Sequence, residues 1–508
     1  MQAGHLASGL PGWELPGWGL PGWELPAENP AFPPLPIALS SVLIDKDSSI
    51  DRTVMALRSL AEDRIFGERL PSSRELTAQL GVGPVTVRRA VGQLVAEGVL
   101  STRPGAGTFV ARPTARPDAD TAWQQVALGA SPVDPAGLDL AFRLRSMDGL
   151  SLTGGYLDAG LRSDSRVAAA LGRAARRPGA LEAPPMMGLQ ELRHWFATEL
   201  GVDADDVLIT SGGQSALSAT MRAILPSGSP VLFETPTYPG ALAVARSAGL
   251  VPVPVPVDDK GIRVEFLERA FQTTSARLLY MQPTFANPGG TVLDDSRRRE
   301  VIDAATGAGA FIIEDDWAAR WLSHGQVPPP PLIRDDPHGH VITLSSLTKA
   351  TAPSLRVGAI AARGPVLQRV ANLRLVDEHF MARPLQEACV DLLSTSSWRT
   401  QVRVVAVTLR ERASTLAVAL TRHLPEARFT VPNGGISIWL ELPGHHDELS
   451  LSERAASMGV AVLPGQIFKV GESDRSHLRL AFASIESRDI DRAVMLLSRA
   501  VTTGRHQE

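Results

Sequence analysis

The sequence predicts two domains of different class: a small winged helix-turn-helix at residues 45–112 and a large α/β domain with a mostly parallel central sheet at residues 151–508. Three observations carry this. Residues 51–112 show compact helical periodicity that ends in a Gly-rich hairpin. From Leu150 onward, short apolar runs alternate with helical segments, a spacing that implies parallel strands covered by helices. Residues 113–150 between them are rich in Pro, Asp and Ala with weak periodicity, the character of a linker.

Composition bounds the function. With 508 residues, 44% apolar and 20% charged, the chain can bury a sizeable core. A formal net charge of −4 excludes a global basic field, so any nucleic-acid contact must come from a local patch. The single cysteine, Cys389, excludes a disulfide framework or a cysteine metal cluster and reads as a buried small side chain. No apolar run approaches the ~18 residues that cross a bilayer, and no basic-then-apolar leader opens the chain. A soluble, cytoplasmic protein with no membrane partner is the default expectation. Residues 1–44 are expected to form a disordered tail. Three near-identical pentads, Pro11 to Leu15, Pro16 to Leu20 and Pro21 to Leu25, put Pro and Gly in every unit, which opposes both helix and ladder. A tryptophan-bearing interaction segment, or a start codon assigned too far upstream, are the alternatives there.

In the small domain, Met55, Leu57, Leu60 and Ile65 suggest a first helix. Pro71-Ser-Ser-Arg-Glu-Leu76 reads as a capped entry into a second, and Gly81-Val-Gly-Pro84 as the turn into a third. The third helix should run from about Val85 to Glu97 and bury Val87, Ala90, Val91 and Leu94, with Gly98 as its stop. Val99 to Val110 then forms two short strands around a Gly-rich turn. Residues 51–112 hold nine arginines against six acidic residues, a net +3 inside a negative chain. Arg88 and Arg89 on the third helix and Arg103 at the hairpin could meet phosphates or guanine edges.

The runs Leu70 to Gly81, Thr86 to Gly98 and Arg103 to Val110 resemble the winged-helix DNA-binding domain of GntR-type bacterial regulators. The resemblance implies that Arg74 and residues opening the recognition helix, Thr86 among them, contact double-stranded operator DNA, and that Gly105 sits in the wing. Pro84 stands where that family often has an arginine.

In the large domain, Val207 to Thr210, Pro230 to Glu234, Arg277 to Met281, Phe311 to Glu314 and Val341 to Leu344 read as strands, and ligands of such sheets sit at the strands' carboxyl ends. Several signals fall there in order. Thr210-Ser-Gly-Gly-Gln-Ser-Ala-Leu217 follows a strand and opens a helix, where the Gly213 and Gln214 amides could face an anion. Tyr238 ends another strand with a ring that could stack on a planar ligand, and Asn287 offers an amide. Glu314-Asp-Asp-Trp317 crowds carboxylates at a strand end, suited to a metal, a base or a buried cation; no histidines accompany them, so no metal is expected. Lys349 follows Ser345, Ser346 and Thr348 and precedes Arg356 by seven residues. A lysine that attacks an aldehyde must be neutral, and burial beside other cations achieves this. Hydroxyls and a guanidinium fork suit a phosphate.

This ordered set strongly resembles a fold-type I aminotransferase that binds pyridoxal 5′-phosphate, from about Leu150 to the C-terminus, with a small α+β C-terminal subdomain at about 390–508. The resemblance implies that Lys349 is the Schiff-base lysine and that Asp315 pairs with the pyridine nitrogen. It places Asn287 on the ring 3′-oxygen, Tyr238 stacked, and Gly213, Gln214, Ser346 and Arg356 on the phosphate. Arg479, in the run His477 to Phe482, matches the arginine that clamps an amino acid's α-carboxylate. Gly434-Gly435 before Ile436 to Leu440 resembles the strand opening the small subdomain. Trp317 stands where a tyrosine is expected; its indole can donate but cannot ionise.

A GntR-type reader fused to such a domain resembles the MocR subgroup of transcription regulators. That implies a regulator sensing an amino acid or amine effector, with a catalytically active aminotransferase as the alternative. A head-to-tail homodimer with two readers for paired half-sites follows by analogy. Two motifs stay outside this picture: His445-His446-Asp447-Glu448 reads as a solvated loop, and Pro252-Val-Pro-Val-Pro256 as an extended edge segment.

Overall fold

A computed structural model of the chain describes residues 49–111, 121–129, 131, 135–145, 147–325, 327–471 and 474–504. The expectation of a disordered tail at residues 1–44 lies outside them. The chain divides between Ala127 and Leu128 into two compact units.

The first unit holds α1 (Ser49–Glu62), α2 (Ser73–Leu80) and α3 (Pro84–Ala96), then the antiparallel hairpin of β1 (Leu100–Arg103) and β2 (Gly107–Val110). Ser72 caps α2 through a complete capping box, its hydroxyl accepting from the Glu75 amide while the Glu75 carboxylate accepts from the Ser72 amide at 2.7 Å. Gly81 ends α2 in the left-handed region at φ 65°, where a side chain would be strained. Pro84 sits at the first position of α3, where its missing N–H breaks no helical bond. Val87, Ala90, Val91 and Leu94 are buried as the periodicity requires, and they pack on Val54, Leu57, Ala61 and Leu76. The first helix differs from expectation. Met55 is 60% and Ile65 78% exposed, and Ile65 lies beyond the helix end, so the inner face is Thr53, Val54, Leu57 and Ala61. A short apolar run does not show which of two adjacent stripes turns inward.

The segment predicted as linker contains two helices, α4 (Ala122–Leu128) and α5 (Ala136–Arg145). After β3 (Leu150–Ser151) come the strands of the main sheet: β4 (Val207–Thr210), β5 (Pro230–Thr235), β6 (Val251–Asp258), β7 (Gly261–Ile262), β8 (Leu278–Met281), β9 (Phe311–Asp316), β10 (Val341–Ser346) and β11 (Gly358–Ala361). They are arranged β4-β11-β10-β9-β8-β5-β6-β7. The block from β10 to β6 is parallel; β11 is antiparallel to both neighbours, and β7 to β6. Side chains alternate across the sheet. Val207, Ile209, Leu279 and Ile312 face α6 (Asp164–Ala174), α7 (Gln190–Leu200), α10 (Val264–Thr274), α11 (Asp295–Ala308) and α13 (Arg383–Leu393). Leu208, Phe233, Tyr280 and Ile313 face α8 (Gly213–Ile224), α9 (Pro239–Ser247) and α12 (Pro365–Asp377). The proline run forms β6. The Val251 amide donates to the Ser229 carbonyl just before β5, so Pro252, Pro254 and Pro256 turn their nitrogens to the outer side, where a missing N–H costs no ladder bond.

The small subdomain combines α14 (Ser396–His423), β12 (Ser437–Glu441), α15 (Glu448–Ser457), β13 (Val460–Ala461), β14 (Leu463–Pro464), β15 (His477–Ala481) and α16 (Ser487–Gly504). Its core also takes Leu152, Leu157 and Leu161, and β3 pairs with β13. This N-terminal contribution is a long-range contact that periodicity within 390–508 does not reveal. The His445 to Glu448 segment corrects another expectation. His446 is buried, Asp447 caps α15 by accepting from the Leu449 and Ser450 amides, and buried Glu448 holds Lys469 at 3.2 Å and the His477 amide. Cys389 is buried, which raises its thiol pKa.

Gly434 lies against the rigid ring of Phe285, where a β-carbon would sit 2.2 Å from the nearest ring atom. Gly434→Ala should therefore cost about 1–3 kcal/mol by overpacking. A urea-denaturation midpoint of the full chain equal to wild type would contradict this.

Candidate functional site

The sheet and the small subdomain enclose a cavity of about 200 Å³ at the carboxyl ends of the parallel strands. Lys349, Gly213, Gln214, Tyr238, Asn287, Asp315, Ser346, Arg356 and Arg479 all line it, so residues up to 266 positions apart in sequence meet in one place. Period-two alternation explains part of this: Asp315 on β9 and Ser346 on β10 share the sheet face of Ile313 and Ile342.

Asp315 is buried. Its Oδ2 accepts from the Tyr280 hydroxyl at 2.6 Å and from Gln282 Nε2 at 2.9 Å. Burial raises its pKa, opposed by those two hydrogen bonds and by Lys349. Lys349 Nζ donates to the Gly155 carbonyl at 2.7 Å and lies 3.8 Å from the centre of the Tyr156 ring. Desolvation first, then Arg479, Arg145 and Arg356, pull its pKa down to about 7. Arg479 is buried and contacts the Thr153 carbonyl at 3.5 Å; desolvation lowers its pKa too.

At the start of α8, Gly212 adopts φ 89° and carries no side-chain cap. A β-carbon there would crowd Arg356 Nη2 at 3.0 Å, so glycine lets the guanidinium approach a helix terminus whose first amides lack helical partners. The Gln214 side chain is engaged by Gly240 and by the Tyr238 hydroxyl at 3.1 Å, which fixes the tyrosine ring and leaves the Gln214 backbone for a ligand. The Ser346 hydroxyl donates to Thr348 Oγ1 at 3.1 Å. Trp317 lines the cavity, but its indole donates to the Phe285 carbonyl at 3.2 Å, so that N–H is already committed inside the protein.

Sequence reasoning missed several lining residues. Gly155 and Tyr156 follow β3, and Gly137, Leu138, Ala141, Phe142 and Arg145 come from α5. The helical spacing of Leu138, Ala141, Phe142 and Arg145 was the available signal, masked by the surrounding Pro, Asp and Ala. Gln282 and Tyr280 were missed because their partner, Asp315, is distant in sequence.

In the first unit, Arg74, Arg88, Arg89 and Arg103 are exposed and Thr86 is half-buried. The Arg103 guanidinium stacks on Phe109 at 4.9 Å. Gly105 occupies the hairpin tip at φ 74° with open space around it. Among the described residues no helix is long and apolar enough to cross a membrane, and no group of His, Cys, Asp and Glu is arranged to hold a metal ion.

Residues 152–497 match the family model of aminotransferase class I and II, and residues 57–110 that of the gntR family of bacterial regulatory proteins. The chain belongs to the class I and II aminotransferase family, joined to a GntR reader in the MocR manner. It is 33% identical to 2-aminoadipate transaminase of Thermus thermophilus over 69% of this chain and 90% of that protein. It is 29% identical to the HTH-type transcriptional regulator TauR of Rhodobacter capsulatus, over 86% of this chain and 92% of that protein. In structure it resembles the α-aminoadipate aminotransferase LysN of Thermus thermophilus, solved with N-(5′-phosphopyridoxyl)-L-leucine. The TM-score is 0.70 at 30% identity, covering 76% of this chain and all of that one.

The cofactor of this family is pyridoxal 5′-phosphate, and the cavity fits it. Asn287 Oδ1 and Arg479 Nε are buried with no hydrogen-bond partner among the described residues, a cost of about 1–3 kcal/mol each that a polar ligand would relieve. The remaining groups, a helix N-terminus beside a guanidinium, a buried carboxylate and a lysine shifted toward neutrality, suit a phosphate, a protonated ring nitrogen and an aldehyde.

Two outcomes are expected. Attachment of the cofactor by apo-protein, followed by absorbance, should quicken as pH rises through about 7 and then level off, because the amine is neutral above that pH; a rate still climbing toward pH 10 would contradict it. Arg88→Ala and Arg89→Ala should each weaken operator binding and reduce the slope of log K against log salt by about 1 if both touch phosphates. An unchanged slope would remove them from the interface.

Proposed function

We propose that this MocR-type regulator reads operator DNA with α3 and the wing while its large domain, loaded with pyridoxal phosphate on Lys349, senses an amino compound. The convergence of Lys349, Asp315, Asn287, Arg356 and Arg479 on one cavity carries this reading. The cofactor, when bound, supplies an aldehyde that condenses with amines and a ring that accepts electrons. The protein's own groups do the rest. Gly213, Gln214, Ser346 and Arg356 would hold the phosphate, Tyr238 would stack on the ring, Asn287 would meet the ring oxygen, and Asp315, oriented by Tyr280 and Gln282, would keep the ring nitrogen protonated. Arg479 takes the effector's carboxylate.

A ligand changes DNA affinity only if it binds two protein conformations unequally. Lys349 offers a source of that inequality. Its amine contacts the Gly155 carbonyl and the Tyr156 ring, so a change in what Lys349 is bonded to would bear on the segment that follows α5.

A transaminase reading uses the same residues and is favoured by the 33% identity to 2-aminoadipate transaminase. Conversion of the bound cofactor to pyridoxamine phosphate at catalytic rates would establish it and displace pure sensing. For the sensor, borohydride reduction and peptide mapping should place the cofactor's mass on Lys349, and amino compounds should shift operator affinity in wild type but not in Lys349→Ala. A label elsewhere, or an equal shift in the variant, would overturn it.

A further inference from the structure

We infer that Glu378 is a positioning residue for the phosphate cradle. Paired with Arg374, it forms a clamp without net charge that fixes the turn from Ser211 to Ser215, so the end of α12 sets where the backbone amides of that turn meet a phosphate. This rests on the placement of the phosphate at the start of α8 given above and adds residues outside the cavity lining.

The turn from β4 into α8 has no anchor of its own. Gly212 is the cap residue of α8, has no side chain to hold the first amides, and adopts φ 89°, a region that glycine enters and leaves freely. A phosphate is bound well only if those amides aim at one point. The flanking serines supply the hold. Ser211 Oγ donates to Glu378 Oε2 at 2.7 Å, and Ser215 Oγ donates to Glu378 Oε1 at 3.0 Å. One carboxylate thus spans the turn from its strand side to its helix side. A hydroxyl has one proton to give, so both serines are committed to the protein and the phosphate is left to the Gly213 and Gln214 amides, Ser346 and Arg356.

Glu378 is itself fixed. It follows the last residue of α12, and Arg374, one turn earlier, donates to its Oε1 through Nε at 2.9 Å and Nη2 at 2.6 Å. The remaining guanidinium nitrogen, Nη1, donates to the Ile209 carbonyl of β4. Arg374 is buried, which holds the fork out of water. Apolar residues of α8 and α12 share one core, and Arg222 of α8 pairs with Asp377 at 2.6 Å. A carboxylate without a partner would repel a phosphate bound at this turn; paired with Arg374, it contributes geometry without net charge.

The test compares pyridoxal 5′-phosphate with pyridoxal on the full-length protein freed of cofactor, following absorbance as each attaches to Lys349. The ratio of the two affinities isolates the phosphate, and a merely structural role would lower both affinities and leave the ratio alone. In wild type the phosphate should tighten binding about a hundredfold or more, the worth of two hydrogen bonds to a charged group. Glu378→Ala should cut that ratio about tenfold, and Glu378→Gln, whose amide can still engage both hydroxyls, should keep more of it. Ser211→Ala, which leaves the Arg374 pair intact, should lower the ratio too. The double variant should lose no more than Glu378→Ala alone, because the serine acts through the carboxylate. Simple Coulomb repulsion predicts the opposite sign, since deleting a carboxylate near a phosphate strengthens binding. A ratio unchanged or raised in Glu378→Ala, no advantage of Glu378→Gln over it, or losses that add in the double variant overturn the assignment and leave the cofactor reading intact. Where Glu378→Ala fails to fold, Ser211→Ala decides, and an unchanged ratio there overturns the assignment. A wild-type ratio near one overturns the phosphate cradle and Glu378 with it.

Discussion

An amine held beside three guanidinium groups and away from water is the constraint around which the large domain is organised. Lys349 is kept near neutrality by desolvation and by Arg479, Arg145 and Arg356, which come from β15, α5 and the turn before β11. No local segment could assemble this cluster, because like charges repel and a chain segment alone cannot exclude water. The sheet and the small subdomain impose it, and much of the cavity's remaining lining is apolar. Asp315 balances the cluster only in part, because one carboxylate opposes three guanidinium groups.

Rigid supports surround that cluster. Gly212 gives Arg356 access to the α8 terminus, Gln214 fixes the Tyr238 ring, and the Phe285 carbonyl fixes Trp317. In the last two cases a polar group of the lining is satisfied inside the protein, which holds its ring in place. Asn287 Oδ1 and Arg479 Nε, buried without partners among the described residues, are the complement of that arrangement. A buried polar atom is tolerated where a bound group satisfies it.

The most consequential difference from expectation concerns α5. Its sequence is short and set among residues that read as linker, and its own helical tendency is modest at ten residues. Packing of Leu140 and Leu144 on the small subdomain stabilises it, and the same packing turns Arg145 and Phe142 toward the cavity. The segment that leads from the first unit into the large domain is thus also part of the cavity's wall.

The sequence by itself determined the reader almost completely: its capping box, its Gly81 turn, the buried face of α3 and the hairpin are local features with local causes. It also determined the five parallel core strands and the nine cavity residues whose order along the chain is diagnostic, most of them at or just beyond a strand end. It could not determine which stripe of α1 turns inward, that His446 is buried, that the Trp317 indole is spent on a carbonyl, or that Leu152 and α5 belong to the C-terminal half. Those outcomes depend on contacts between residues hundreds of positions apart, and only closure of the core decides which polar group meets a partner and which apolar face meets water.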